Sequence, residues 1–189
     1  MNNAQVLRDA LTGAIAATGK DMEILDAVHI RAADGVLHVA GTDRFAVAMH
    51  AAPTDMADFA QVSISTAEAK RLLKNLKGVS YVALQVDGDT LHVQADGDLD
   101  GYPLLDSQAP DFTKIGMRHV PCPNAFTRLN SGIFAALAKL PENKKKGLAF
   151  DVEILGLPGD QHHNTLPKMV RCTRGAWTFM AMLQRHEGA

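Results

Sequence analysis

The sequence predicts an α+β fold made by repetition, each unit being a helix followed by antiparallel strands. Three observations predict it. Helical periodicity gives way to period-two alternation twice in the same order. The triplets Leu37-His38-Val39 and Leu91-His92-Val93 each follow an Asp-Gly turn closely. Finally, 47% of the 189 residues are hydrophobic, enough for a substantial core.

The first unit opens with NAQVLRDALTGAIAATG. Leu7, Leu11, Ala14, Ile15 and Thr18 recur at helical spacing, Arg8, Asp9 and Thr12 face away, and Gly19 stops the helix. EILDAVHIRAADGVLHVAGTD then reads as two strands joined at Asp34-Gly35, because Asp-Gly tolerates positive φ. In the first strand Val28, Ile30 and Ala32 alternate with His29 and Arg31, which places the latter two on the opposite face. A third strand runs from Phe45 in FAVAMHA.

The second unit repeats the order. VSISTAEAKRLLKNLKG gives a short strand, an N-cap at Ser65 or Thr66 with Glu68 in the first turn, and a helix closed by Gly78. SYVALQVDGDTLHVQADGD is strand, Asp-Gly hairpin, strand. The stretch GYPLLDSQAPDFTKIGMRHVPCP reads as a linker. A third unit follows, with Ile133, Phe134, Leu137 and Leu140 as a helical stripe and strands in LAFDVEIL, KMVRCTRG and AWTFMAML, the last two joined at Arg174-Gly175.

The formal charge is -2, but acids outnumber bases up to Met117 and bases outnumber acids from Arg118. On the second helix Lys70, Lys74 and Lys77 share a face with Arg71 beside them, while Ala69, Leu72, Leu73 and Leu76 form the apolar face. Lys139 and Lys144, Lys145 and Lys146 repeat the basic character in the third unit, and Arg8 and Lys20 add less in the first. Such sorting suits a polyanion, met through phosphates rather than base edges.

Chemistry is absent by pattern. The sequence holds no phosphate-loop, dinucleotide, nucleophile-elbow or HExxH motif, so an enzyme is disfavoured and no cofactor is expected. His162-His163 with His186 and Cys172 lack the spacing of metal ligands. Asp43 beside Arg44 reads as a turn ion pair rather than an acid/base pair. No membrane span or signal-peptide pattern is present, and Cys122 and Cys172 form no disulfide framework, which fits a reduced cytoplasm.

The segment GTDRFAVAMH resembles the ATDGHRLA-like stretch in the middle domain of bacterial β-type DNA sliding clamps. Thr42-Asp43 and Val47-Ala48 match, with Arg44, Phe45 and Ala46 in place of Gly-His-Arg. DLDGYPLLDSQAPDFTKI resembles the family's EGEFPDYRRVLP-like connector through Pro110-Asp111-Phe112, and WTFMAMLQR resembles the terminal YVVMPMRL strand, with Ala181 where proline is usual.

The resemblance implies a ring of βαβββ units, helices lining a pore and sheets outside. Duplex DNA would be encircled without sequence preference, and a DNA polymerase tethered for processivity. Arg8, Lys20, Lys70, Arg71, Lys74, Lys77, Arg128, Lys139, Lys144, Lys145 and Lys146 would face the DNA. A pocket for clamp-binding peptides would involve Thr42, Arg44, Phe45, Ala46, Val47, Met117, Thr178, Met180, Ala181 and Met182.

A clamp loader would open the ring. Residues 1–117 would form a full domain of two units, 1–57 and 58–117, and 118–189 a third unit. Three units per chain imply a homotetramer with two-fold contacts, a compact clamp suited to a phage or mobile replicon. The alternative is a clamp-like interaction protein that does not encircle DNA, a decoy or inhibitor of replication proteins. A small-molecule hydrolase would need a coherent polar pocket.

Overall fold

The computed structural model describes residues 2–107, 109, 111–114, 120–121, 151–156 and 169–182. The strand β1 (Asn2–Asn3) leads into helix α1 (Ala4–Ala16), followed by β2 (Ala27–Ala33), β3 (Val36–Thr42), β4 (Ala46–Pro53) and β5 (Phe59–Ser65). Helix α2 (Thr66–Asn75) precedes β6 (Tyr81–Asp87), β7 (Thr90–Ala95) and β8 (Asp98–Pro103). A 3-10 turn at Phe112–Lys114, β9 (Val120–Pro121), β10 (Asp151–Gly156), β11 (Met169–Arg174) and β12 (Trp177–Met182) complete the described elements.

Helix α1 is capped by Asn3, whose side chain accepts the Gln5 N–H at 2.8 Å. It ends at Ala16, before Gly19, whose N–H instead bonds the carbonyls of Leu25 and Thr42. Ser65 rather than Thr66 caps α2, accepting the Glu68 N–H at 3.1 Å. Asp34 and Gly35 both have positive φ, 54° and 72°, so the β2–β3 turn is the expected Asp-Gly hairpin. In the second unit Asp87 pairs with Thr90 and the turn centre shifts to Gly88-Asp89, with Gly88 at φ 56°. The last hairpin likewise centres on Gly175-Ala176, since Arg174 pairs with Trp177.

The strands form two sheets, β1-β6-β7-β8 and β5-β2-β3-β4-β12-β11-β10-β9. The units exchange their opening strands: β1 joins the sheet of the second unit, and β5 joins that of the first. Both helices and both sheets enclose one core containing Leu7, Leu11, Ile30, Val39, Ile64, Leu72, Leu76, Leu84, Leu91 and Tyr102. Small residues set the spacing of α1. A Cβ on Gly41 would stand 2.1 Å from the Ala14 carbonyl oxygen, so glycine lets β3 run against the helix backbone.

One expectation is corrected, and one residue is more deeply buried than its alternation alone would require. The stretch starting at Gly101 is not all linker, because β8 extends to Pro103 and pairs antiparallel with β7. A second Asp-Gly turn, Asp96 (φ 45°) and Gly97 (φ 106°), makes that hairpin. His29 does lie on the opposite sheet face from Val28 and Ile30, yet it is only 1% exposed, because the chain after β8 returns across that face. The predicted third-unit helix lies outside the described residues.

Candidate functional site

The corner between β3 and β4 builds itself from its own side chains. Asp43 Oδ1 accepts the N–H groups of Phe45 (2.9 Å) and Ala46 (2.7 Å). The Thr42 hydroxyl donates to the Ala46 carbonyl at 2.7 Å and accepts the Arg44 N–H at 3.2 Å. Arg44 sits at φ 82°, a left-handed conformation held by those bonds. The corner thrusts Phe45 outward, 63% exposed, while its carbonyl accepts the Met182 N–H at 2.8 Å.

That bond joins the first unit to the third. Strand β4 pairs antiparallel with β12: Met180 stands opposite Val47, Thr178 opposite Met49, and Ala181 opposite Ala46. Directly opposed residues share a sheet face. Thr42, Val47, Thr178, Met180 and Met182 therefore lie on one face, and Ala46 and Ala181 on the other. On the second face Ala48, Phe179, Ala181 and Trp177 pack with Ala17 after α1. Gly13 makes room there, since a Cβ would lie 2.0 Å from Trp177 Cη2.

The first face carries an apolar floor. Ala40, Val47, Met180 and Phe112 are buried together, with Met49, Met169 and Ala109 half-buried around them. Phe112 closes one side: its ring is 4.7 Å from that of His29, whose Nδ1 lies 2.8 Å from the Ser63 hydroxyl. Beside it Asp111 meets Arg31 at 3.7 Å and Lys114 at 3.2 Å. Burial pushes the His29 imidazole down to about 4, so it is neutral at pH 7. Phe45 and Met182 (48% exposed) stand at the surface where the β3–β4 corner meets the end of β12. Seven of the ten pocket residues proposed from sequence thus belong to the corner and the shared face or its rim; Ala46 and Ala181 sit below it, and Met117 is outside the described residues. These seven, Thr42, Arg44, Phe45, Val47, Thr178, Met180 and Met182, lie at the surface or the floor. Met49, Met169 and Phe112 were missed; Met49 was legible as the next same-face residue after Val47.

The cationic candidates divide by what they touch. Lys70, Lys74 and Lys77 are exposed on α2, and Lys20 is exposed after α1. Arg8 is half-buried and turned to protein: Nη1 donates to the carbonyls of Leu76 and Val79, the latter at 2.9 Å. Arg71 donates to Glu68 and, at 2.7 Å, to the Gly101 carbonyl, with its guanidinium carbon 4.1 Å from the Tyr102 ring centre. The outward side of α1 holds a Gln5–Asp9 bond of 2.7 Å and no lysine. Arg128, Lys139, Lys144, Lys145 and Lys146 lie outside the described residues, as do His162, His163 and His186. Among the described residues no three His, Cys, Asp or Glu side chains group as metal ligands. No helix among them is long and apolar enough to cross a membrane.

Two helices between two antiparallel sheets, one of which runs on edge to edge into a further set of strands, make a fold shared with solved DNA sliding clamps. This chain has the fold of the bacterial DNA polymerase III β subunit. It superposes on the Helicobacter pylori β clamp in complex with carprofen with a TM-score of 0.67 at 12% identity, covering 100% of this chain and 64% of that one. The β subunit of Thermotoga maritima gives 0.64 at 12%, covering 97% and 64%. The H. pylori β clamp bound to a DNA ligase peptide gives 0.64 at 12%, covering 99% and 65%. The chain thus spans a little under two thirds of the length of these neighbours. No family model matches the sequence, and no curated protein matches it.

Proposed function

We propose that the protein is a sliding clamp, a processivity factor that encircles duplex DNA and tethers replication proteins. The observation that carries this reading is the uninterrupted sheet from β5 through β4 and β12 to β9, which joins the first unit to the third. Clamp units linked edge to edge in this way lead from one to the next, as a ring requires. The lysines of α2 meet phosphates loosely, and a DNA polymerase and other partners bind by peptides laid in the groove between Phe45, Met182 and Phe112. Phe45 and Met182 give such a peptide exposed apolar anchors, and methionine repacks around varied ligands. In this reading four chains close the ring, a clamp loader opens it, and the protein works in the cytoplasm, in a host cell if phage-encoded.

The test is retention on nicked circular DNA. The clamp stays on the circle and runs off once the circle is cut, and its native mass is four chains. Replacing Lys70, Lys74 and Lys77 by alanine lowers the salt sensitivity of retention, by a log–log slope of up to about one per lysine that meets a phosphate. Equal retention on circular and linear DNA overturns encirclement.

The absence of a lysine on α1 and the engagement of Arg8 favour a second reading, a clamp-like protein that binds replication partners without encircling DNA. A monomer that binds a polymerase-tail peptide but leaves no trace on circular DNA establishes it.

A further inference from the structure

Each unit ends in a strand whose outer edge continues or closes a sheet. Two of these, β4 and β12, pair with each other inside the chain. The third, β8, ends its sheet, and among the described residues no strand pairs with its outer edge. We infer that β8 pairs antiparallel with β8 of a second copy of this chain across a two-fold axis, with Leu99 opposite Leu99. The inference rests on the clamp reading only for the size of the final assembly.

The register comes from the repeat. His38 stands opposite Ala51 in β3–β4 as His92 stands opposite Gly101 in β7–β8, so Met49 and Leu99 hold equivalent places. Arg174 opposite Trp177 closes the last hairpin as Ala95 opposite Asp98 closes the β7–β8 hairpin, so Thr178 also corresponds to Leu99. Met49 and Thr178 face each other across the β4–β12 junction. Copying that junction onto β8 puts Leu99 against Leu99, which is the self-complementary arrangement a two-fold requires.

The edge is chemically ready. In a two-residue hairpin the closing pair exchanges hydrogen bonds and the next pair does not. Asp98, Asp100 and Tyr102 therefore bond toward β7, while Leu99 and Gly101 point N–H and C=O away from it. The Gly101 carbonyl does accept from outside the sheet, taking the Arg71 guanidinium at 2.7 Å, and its second lone pair remains for a partner N–H. Leu99 is 68% exposed in mid-strand, an uncovered apolar residue on an open edge. One feature weakens the contact: the same register sets Asp98 opposite Asp100, twice by symmetry. Asn75 holds Asp100 at 3.1 Å, but Asp98 has only its partner's carboxylate across the axis. The pairing is therefore tighter when Asp98 is neutralised.

The experiment uses the full chain with Cys122→Ser. Leu99→Cys forms a disulfide-linked dimer under mild oxidation, because directly opposed strand residues lie within disulfide reach, about 5.5 Å between Cα atoms. Gln94→Cys, one strand inward on the same face, does not. In the native sequence Leu99→Lys halves the mass in solution, and Asp98→Asn lowers the concentration at which the assembly falls apart. Failure of Leu99→Cys to cross-link, with a mass unmoved by Leu99→Lys, overturns the pairing. The two readings separate cleanly: a protein retained on circular DNA that passes neither test keeps its ring but loses this contact. A protein that cross-links through Leu99 yet runs off circular and linear DNA alike keeps the contact and loses the ring.

Discussion

The guanidinium of Arg8 donates to the carbonyl of Val79 at 2.9 Å, and its neighbouring bond takes the carbonyl of Leu76 at the end of α2. A residue of the first helix thereby binds the C-cap carbonyl of the second and the carbonyl of Val79 three residues beyond it, where the helix dipole also favours a cation. Arg8→Ala should cost about 1–3 kcal/mol, since it strands part-buried acceptors that had a charged donor. Urea denaturation measures the loss, and salt-dependent DNA retention of the folded variant should change less than for the α2 lysine variant. Equal effects on retention would return Arg8 to the DNA-facing set.

Groove residues should separate by depth. Phe45→Ala and Met182→Ala remove exposed side chains and should shift stability by about 0.5 kcal/mol or less, yet weaken a polymerase-tail peptide about tenfold or more. Phe112→Ala empties a buried site and should cost about 3 kcal/mol. Peptide titration alongside thermal unfolding checks both, and unchanged peptide affinity in the two exposed variants removes the groove.

Gly13 is packed under the Trp177 indole. Gly13→Ala would normally favour a helix, but here its methyl overlaps Trp177 Cη2 and should destabilise by about 1–3 kcal/mol. Tryptophan fluorescence reads the site directly, as Trp177 is the single tryptophan of the sequence. A stabilised variant with unaltered emission would mean that α1 and β12 are not in contact.

Acid should loosen the fold through two imidazoles. Burial holds His29 and His50 each at about 4, while the unfolded chain protonates them near 6.5. Between those values the unfolded state binds more protons, so stability falls as pH drops from about 6.5 toward 4, by up to about 3 kcal/mol for each histidine. Urea midpoints across that range give the slope. His29→Leu with His50→Leu should flatten it, and a wild-type curve that is flat or rises toward acid rejects the assignment.

The parts of the fold legible in the sequence are those with strong local chemistry. Asp34-Gly35 marked a hairpin because its backbone needs positive φ, and Ser65 with Glu68 marked a helix start. The strand β8 escaped because DLDGYP has charged and small residues where a strand pattern expects apolar alternation; its place comes from β7, a tertiary cause. The exchange of β1 and β5 between sheets is likewise invisible to periodicity, which reports faces and not partners. At the site, Thr42 to Val47 and Thr178 to Met182 were readable as two segments, but their register put Ala46 and Ala181 on the far face. Arg8 looked like its fellow cations until the Val79 carbonyl gave it other work.

The β4–β12 junction also has a meaning for biosynthesis. A ribosome finishes β4 at Pro53 long before it reaches Trp177, and through that interval the nascent chain carries an apolar edge without its native neighbour. Long-range pairing of this kind folds slowly and leaves strands open to other chains. Yield during expression should therefore be governed by how quickly translation delivers the final hairpin, and early truncation products should be the species that clump.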